Sequence, residues 1–163
     1  MSAYSQIQNV KSIFALSELK TFRMPGGMTY AVVAHNADTG LVCDIWFGDF
    51  HTSEQFREVL YFVLEQMQTG AYKYWLADLR FMSSSFLAAN DWMVGELMPA
   101  IFEAGLVREA VVLPEKIVQA PEGFDVFGAA STVLKNLADG RVRGFTSMKA
   151  AKQWLLEGIL ENF

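Results

Sequence analysis

The chain has 163 residues, of which 52% are hydrophobic and only 19% charged, and carries 13 basic against 18 acidic residues for a net charge of −5. That is the length of one domain over residues 1–163, and it is too apolar for a disordered chain. The acidic balance, with no run of Lys or Arg, argues against nucleic-acid phosphates and anionic membrane surfaces as partners. Met24 to Ala37, the longest stretch without a charge, is too short to cross a bilayer.

The first dozen residues are polar and lack a clear period, so residues 1–12 are expected to be loosely held. A strand is expected somewhere within Ile13 to Phe22. Tyr30 to His35 is a short apolar run, and Asn36-Ala-Asp-Thr-Gly40 is turn chemistry. Leu41, Cys43, Ile45 and Phe47 then alternate with Val42, Asp44, Trp46 and Gly48, a period of two that predicts an antiparallel hairpin. Thr52 and Gln55 have the spacing of a capping box, in which each side chain satisfies a free backbone N–H at a helix start. Phe56, Val59, Leu60, Val63 and Met67 follow at helical spacing, with Gly70 as the stop. Tyr74 to Leu79 suits a strand covered on both faces.

A second helix is expected within Phe86 to Ala104, kinked or split at Pro99, because proline lacks an N–H and crowds the preceding turn. Ala110 to Leu113 is another buried strand. Phe127, Ala130, Leu134 and Leu137 suggest a third helix ending at Gly140. Val142 to Phe145 is a short strand, and Thr146 or Ser147 can cap a last helix burying Met148, Ala151, Trp154 and Leu155. The expected fold is α/β, a mixed sheet of an N-terminal antiparallel hairpin plus parallel βα units, with about four helices.

Catalytic signatures are sparse. The sequence holds no G-x-S-x-G elbow, no phosphate-binding glycine loop and no close set of metal ligands around His35 or His51. No catalytic residue, metal or cofactor is therefore assigned. Cys43 sits on the apolar phase of its strand and is expected to be a core residue, not a nucleophile. Asp78 and Arg80 stand on the same side of a strand at its C-terminal end, the edge where ligands bind in open α/β sheets. They could hold a polar ligand or each other. Ser83, Ser84 and Ser85 follow before a helix, as cap residues or as a phosphorylation switch that the helix dipole would favour. Trp92, with Trp46, Trp75 and Trp154, could line a pocket or fill the core.

Ile45-Trp-Phe-Gly48, Ser53-Glu-Gln-Phe-Arg-Glu-Val-Leu60, Trp75-Leu-Ala-Asp-Leu-Arg80, Asp91-Trp92, Pro99, Arg108-Glu-Ala-Val-Val-Leu-Pro114 and Phe145-Thr-Ser-Met-Lys-Ala-Ala-Lys-Gln-Trp-Leu155 occur in that order. Together they resemble the small bacterial SpoIIAA-like proteins of the STAS/SEC14 type. The resemblance implies a mixed sheet with packed helices and, in most such domains, no enzymatic activity. It implies binding to a protein partner, switched by phosphorylation of a serine at a helix start, with Ser84 as the nearest counterpart. No acidic residue directly precedes these serines, and Phe86 stands where that motif has glycine. SEC14-type relatives hold lipids.

The leading expectation is a cytoplasmic, non-catalytic, regulatory interaction module, self-associating as a homo-oligomer such as a homodimer, with its surface at Asp78, Arg80, Ser83, Ser84, Ser85 and Trp92. The alternative is a carrier of a small apolar ligand, and the third is an uncharacterised enzyme. A cytoplasmic location follows from the lone cysteine and from an N-terminus without the basic start and apolar run of an export signal.

Overall fold

The computed structural model describes residues 3–83, 87–113 and 140–161. Helix α1 spans Ala3–Phe14, followed by strands β1 (Ser17–Arg23), β2 (Thr29–Asn36) and β3 (Leu41–Gly48). Helix α2 (Ser53–Gln68) leads to β4 (Tyr74–Met82). A segmented helix follows, with α3 (Asn90–Trp92), a wide π turn (Met93–Leu97) and α4 (Met98–Glu103). Strands β5 (Arg108–Val112) and β6 (Val142–Phe145) and helix α5 (Met148–Glu161) complete it. The helix expected over residues 127–137 lies outside the described residues.

Local chemistry accounts for most of these boundaries. Thr52 accepts from the Gln55 N–H, and the Gln55 side chain accepts from the Thr52 N–H, closing the capping box of α2. The Ser147 hydroxyl accepts from the Ala150 N–H at 3.3 Å and starts α5. Pro99 has no N–H to give to the turn before it. The preceding turn widens, so that the Met98 N–H reaches back five residues to the Met93 carbonyl. The opening residues depart from expectation. They form α1, with Gln6 and Val10 fully buried and Phe14 nearly so, at a spacing of four that seats one stripe on the sheet.

The six strands lie in the order β1-β2-β3-β4-β5-β6, with β1–β2–β3 antiparallel and β3–β4–β5–β6 parallel. The architecture is therefore α/β with a mixed sheet. Because sheet order follows chain order, right-handed crossovers place successive helices on the same face. The buried residues of α2 (Phe56, Val59, Leu60, Val63, Met67) and those around α4 (Leu97, Met98, Ile101) do share one apolar cluster. The opposite face is covered by α1 (Val10, Phe14) and α5 (Ala151, Trp154, Leu155, Ile159). Strand β3 is sandwiched between the two, and every residue from Leu41 to Phe47 is buried. No helix among the described residues is long and apolar enough to cross a membrane.

Gly158 shows how closely α5 sits on the sheet. Its carbonyl accepts from the Tyr74 hydroxyl at 2.8 Å. A Cβ there would lie 2.7 Å from Arg108 Cδ and 3.2 Å from the Tyr74 ring. Arg108 cannot easily yield, since it donates to the Trp154 carbonyl at 2.7 Å and lies 4.9 Å from the Trp154 ring. Helix propensity alone favours Gly158→Ala by about 1 kcal/mol. The clash reverses the sign, so the variant is expected to be less stable than wild type by about 1–3 kcal/mol in urea unfolding. A variant as stable as wild type or more so would contradict the close approach.

Candidate functional site

The C-terminal ends of the parallel strands carry the first candidate group. Ile45 pairs with Asp78 and Phe47 with Phe81, so Leu79 and Arg80 together stand opposite the single Trp46. This is a bulge, which turns a strand and re-aims its side chains. Arg80 folds back over Asp78 as a fork, with Nε 2.9 Å from Oδ1 and NH2 3.0 Å from Oδ2. The Arg80 backbone N–H donates to the same Oδ1 at 3.2 Å. The Asp78 side chain has no exposure, whereas the Arg80 side chain is 24% exposed. Phe81 is 39% exposed with the guanidinium 5.4 Å from its ring. Ser83 is exposed and its N–H donates to the Gly48 carbonyl at 2.8 Å. Ser84 and Ser85 lie outside the described residues.

Trp92 is elsewhere. It belongs to the cluster under α2, whereas Asp78 shares the phase of Tyr74 and Leu76, which face α1 and α5. Its indole N–H donates to the Tyr61 hydroxyl at 3.0 Å, the two rings meet edge to face at 5.0 Å, and the Arg57 guanidinium lies 5.3 Å from the Trp92 ring. Asp78, Arg80 and Ser83 are thus brought together at one strand edge, and Trp92 packs on the other face of the sheet.

A third group was missed by sequence reasoning. Asp44, in the middle of β3, is 1% exposed and accepts from both the Trp46 indole (2.5 Å) and the Trp75 indole. Glu109, 4% exposed, pairs in register with Trp75, so two buried carboxyls flank one indole. Burial pushes the Asp44 carboxyl up to about 6, against the pull of the two indole N–H groups and with a further push from Asp78. Burial, with Asp44 nearby, also raises Glu109 well above the usual carboxylate range. The signal that could have found Asp44 is Trp46, two residues on and on the same strand face. Cys43 is fully buried, and its thiol is raised by burial and then by Asp44 and Asp78, which makes it a poor nucleophile. Among the described residues no three His, Cys, Asp or Glu side chains cluster as metal ligands. The chain matches no protein-family model and no characterised protein with a curated function.

Two outcomes are expected. Arg80→Ala strands a buried carboxylate, so it should destabilise the fold by about 3–5 kcal/mol in urea titrations; a loss below about 1 kcal/mol would show the fork to be dispensable. Asp44 binds its proton more tightly folded than unfolded. Its contribution is complete below the unfolded value of 3.8 and is lost as pH rises through about 6. The stability of wild type relative to Asp44→Asn should therefore fall by about 3 kcal/mol between about pH 3 and about pH 7. A flat difference would contradict the buried, indole-clamped carboxyl.

Proposed function

We propose that the chain is a cytoplasmic, non-catalytic, regulatory interaction module of the SpoIIAA-like (STAS) type, which binds a protein partner at the C-terminal edge of its parallel strands. The observation that supports this most is the closed Asp78–Arg80 fork. Both carboxylate oxygens are taken by the guanidinium, so the acid and the base at the expected edge hold each other and leave Phe81 as the exposed side chain beside them. Self-association is part of the reading. Leu156 and Leu160, one turn apart on α5, are 37% and 71% exposed and offer an apolar contact between copies. The carrier of a small apolar ligand has less support, because Trp92 and Met93 pack into the cluster beneath α2 and do not line a cleft beside Arg80.

The test pairs native mass spectrometry of protein purified from its own cells with affinity capture. Bare protein or a bare homo-oligomer is expected, together with a partner held by wild type and lost by Phe81→Asp at an unchanged melting temperature. A co-purifying apolar molecule would replace this reading with the carrier. Capture unaffected by Phe81→Asp would remove the strand edge as the surface.

A further inference from the structure

We propose that α1 is an exchangeable arm, which seats on its own sheet in the monomer and on the sheet of a second copy in a domain-swapped dimer, with Ala15 as the hinge. The proposal goes beyond the strand-edge reading and does not depend on the Leu156 and Leu160 contact. The seat is the face of the sheet at β2 and β3, where Val10 and Phe14 share an apolar cluster with Val32, Ala34 and Cys43. A second copy presents the same α1 to the same seat, so each contact of the closed form can be remade between copies. The Asn36 side chain donates to the Phe14 carbonyl at 3.1 Å and can do so whichever chain Phe14 belongs to.

The hinge is short and strained. Only Ala15 and Leu16 join α1 to β1. Among the described residues, Ala15 is the one non-glycine residue with left-handed backbone, at φ +53°. The Leu16 N–H reaches back to the Lys11 carbonyl at 2.8 Å and closes a Schellman ending, whose left-handed position glycine usually fills. With alanine there, the Cβ crowds the carbonyl that follows it. Ala15 is exposed, so burial of its side chain does not offset the strain. A connection extended between copies returns Ala15 to ordinary backbone and gives up that one hydrogen bond. Short hinge loops under strain are the setting in which exchange competes with the closed form.

The arm is also lightly held. On the same face α5 is pinned to the sheet by the Tyr74 hydroxyl on the Gly158 carbonyl and by Arg108 on the Trp154 carbonyl. Helix α1 seats Val10 and Phe14 and, with them, Gln6, which is 2% exposed and whose amide nitrogen has no acceptor. Water satisfies that nitrogen once α1 lifts, which lowers the barrier to leaving the seat. A helix of 12 residues is marginal alone in water. The lifted arm therefore reseats on whichever sheet is near, and a second copy competes as its concentration rises.

Analytical ultracentrifugation tests the hinge through two substitutions of opposite sign. Wild type should show a dimer fraction that grows with concentration. Ala15→Gly accepts the left-handed turn and should lower the association constant by about tenfold or more. Ala15→Val resists that turn and should raise it by about as much. Each dimer contains two hinges, so both effects count twice. Isotope-filtered NMR on mixed labelled and unlabelled Ala15→Val should show contacts between Phe14 of one copy and Asn36 of the other. Wild type and Ala15→Val both monomeric at every concentration, an association constant unmoved by either substitution, or Phe14–Asn36 contacts found only within one copy would each overturn the proposal. A dimer that Leu160→Asp dissociates and the Ala15 variants leave unchanged would overturn the exchange and assign self-association to α5.

Discussion

A carboxylate in the centre of a sheet with no solvent on either side is a hard constraint, and the architecture is arranged around satisfying it. Asp44 sits in a strand whose residues from Leu41 to Phe47 are all buried. Leaving it unbonded there would cost several kcal/mol. Two indole N–H groups answer it, one from its own strand and one from β4. Each indole then needs an apolar bed. Trp46 stacks on Phe56 at 5.1 Å and meets Phe50 at 5.7 Å, both supplied by the chain entering α2 or by α2 itself. The position of α2 follows from the need to cover these rings.

The sheet separates its two ionic problems by face. Asp44 and Glu109 lie under α2 and α4, where no arginine is found paired to them among the described residues. Asp78 lies on the α1 and α5 face and is neutralised by Arg80 within its own strand. One bulge in β4 lets a residue two positions away return to its own carboxylate. The pair thereby needs no second element to complete it.

Much of the frame was legible in the sequence, for local reasons. A capping box is a reciprocal contact over four residues, and its outcome does not depend on tertiary packing. Alternation in β3 set its phase, and the strand-helix order set the mixed sheet. Helix α1 escaped because the residue that opens its buried stripe is Gln6, a polar side chain, and Val10 and Phe14 alone do not reveal a period. Asp44 escaped because alternation gives the phase of a residue without saying whether that phase meets water. Asp78 and Arg80 were joined correctly in sequence because they share a strand. Trp92 was grouped with them by proximity along the chain, but the crossover carries it to the opposite face, a separation that only the topology contains.

The wide turn from Met93 to Leu97 has a consequence for phase. In an unbroken α-helix the five steps from Trp92 to Leu97 would leave these residues about 140° apart around the axis, whereas absorbing one extra residue brings them to within about 40°. Trp92, Leu97, Met98 and Ile101 can then all enter the same cluster. The helix works as two short rods clocked against each other, with Pro99 fixing the angle between them. Its first rod seats Trp92 on Tyr61 while its second closes the sheet, and neither has to compromise for the other.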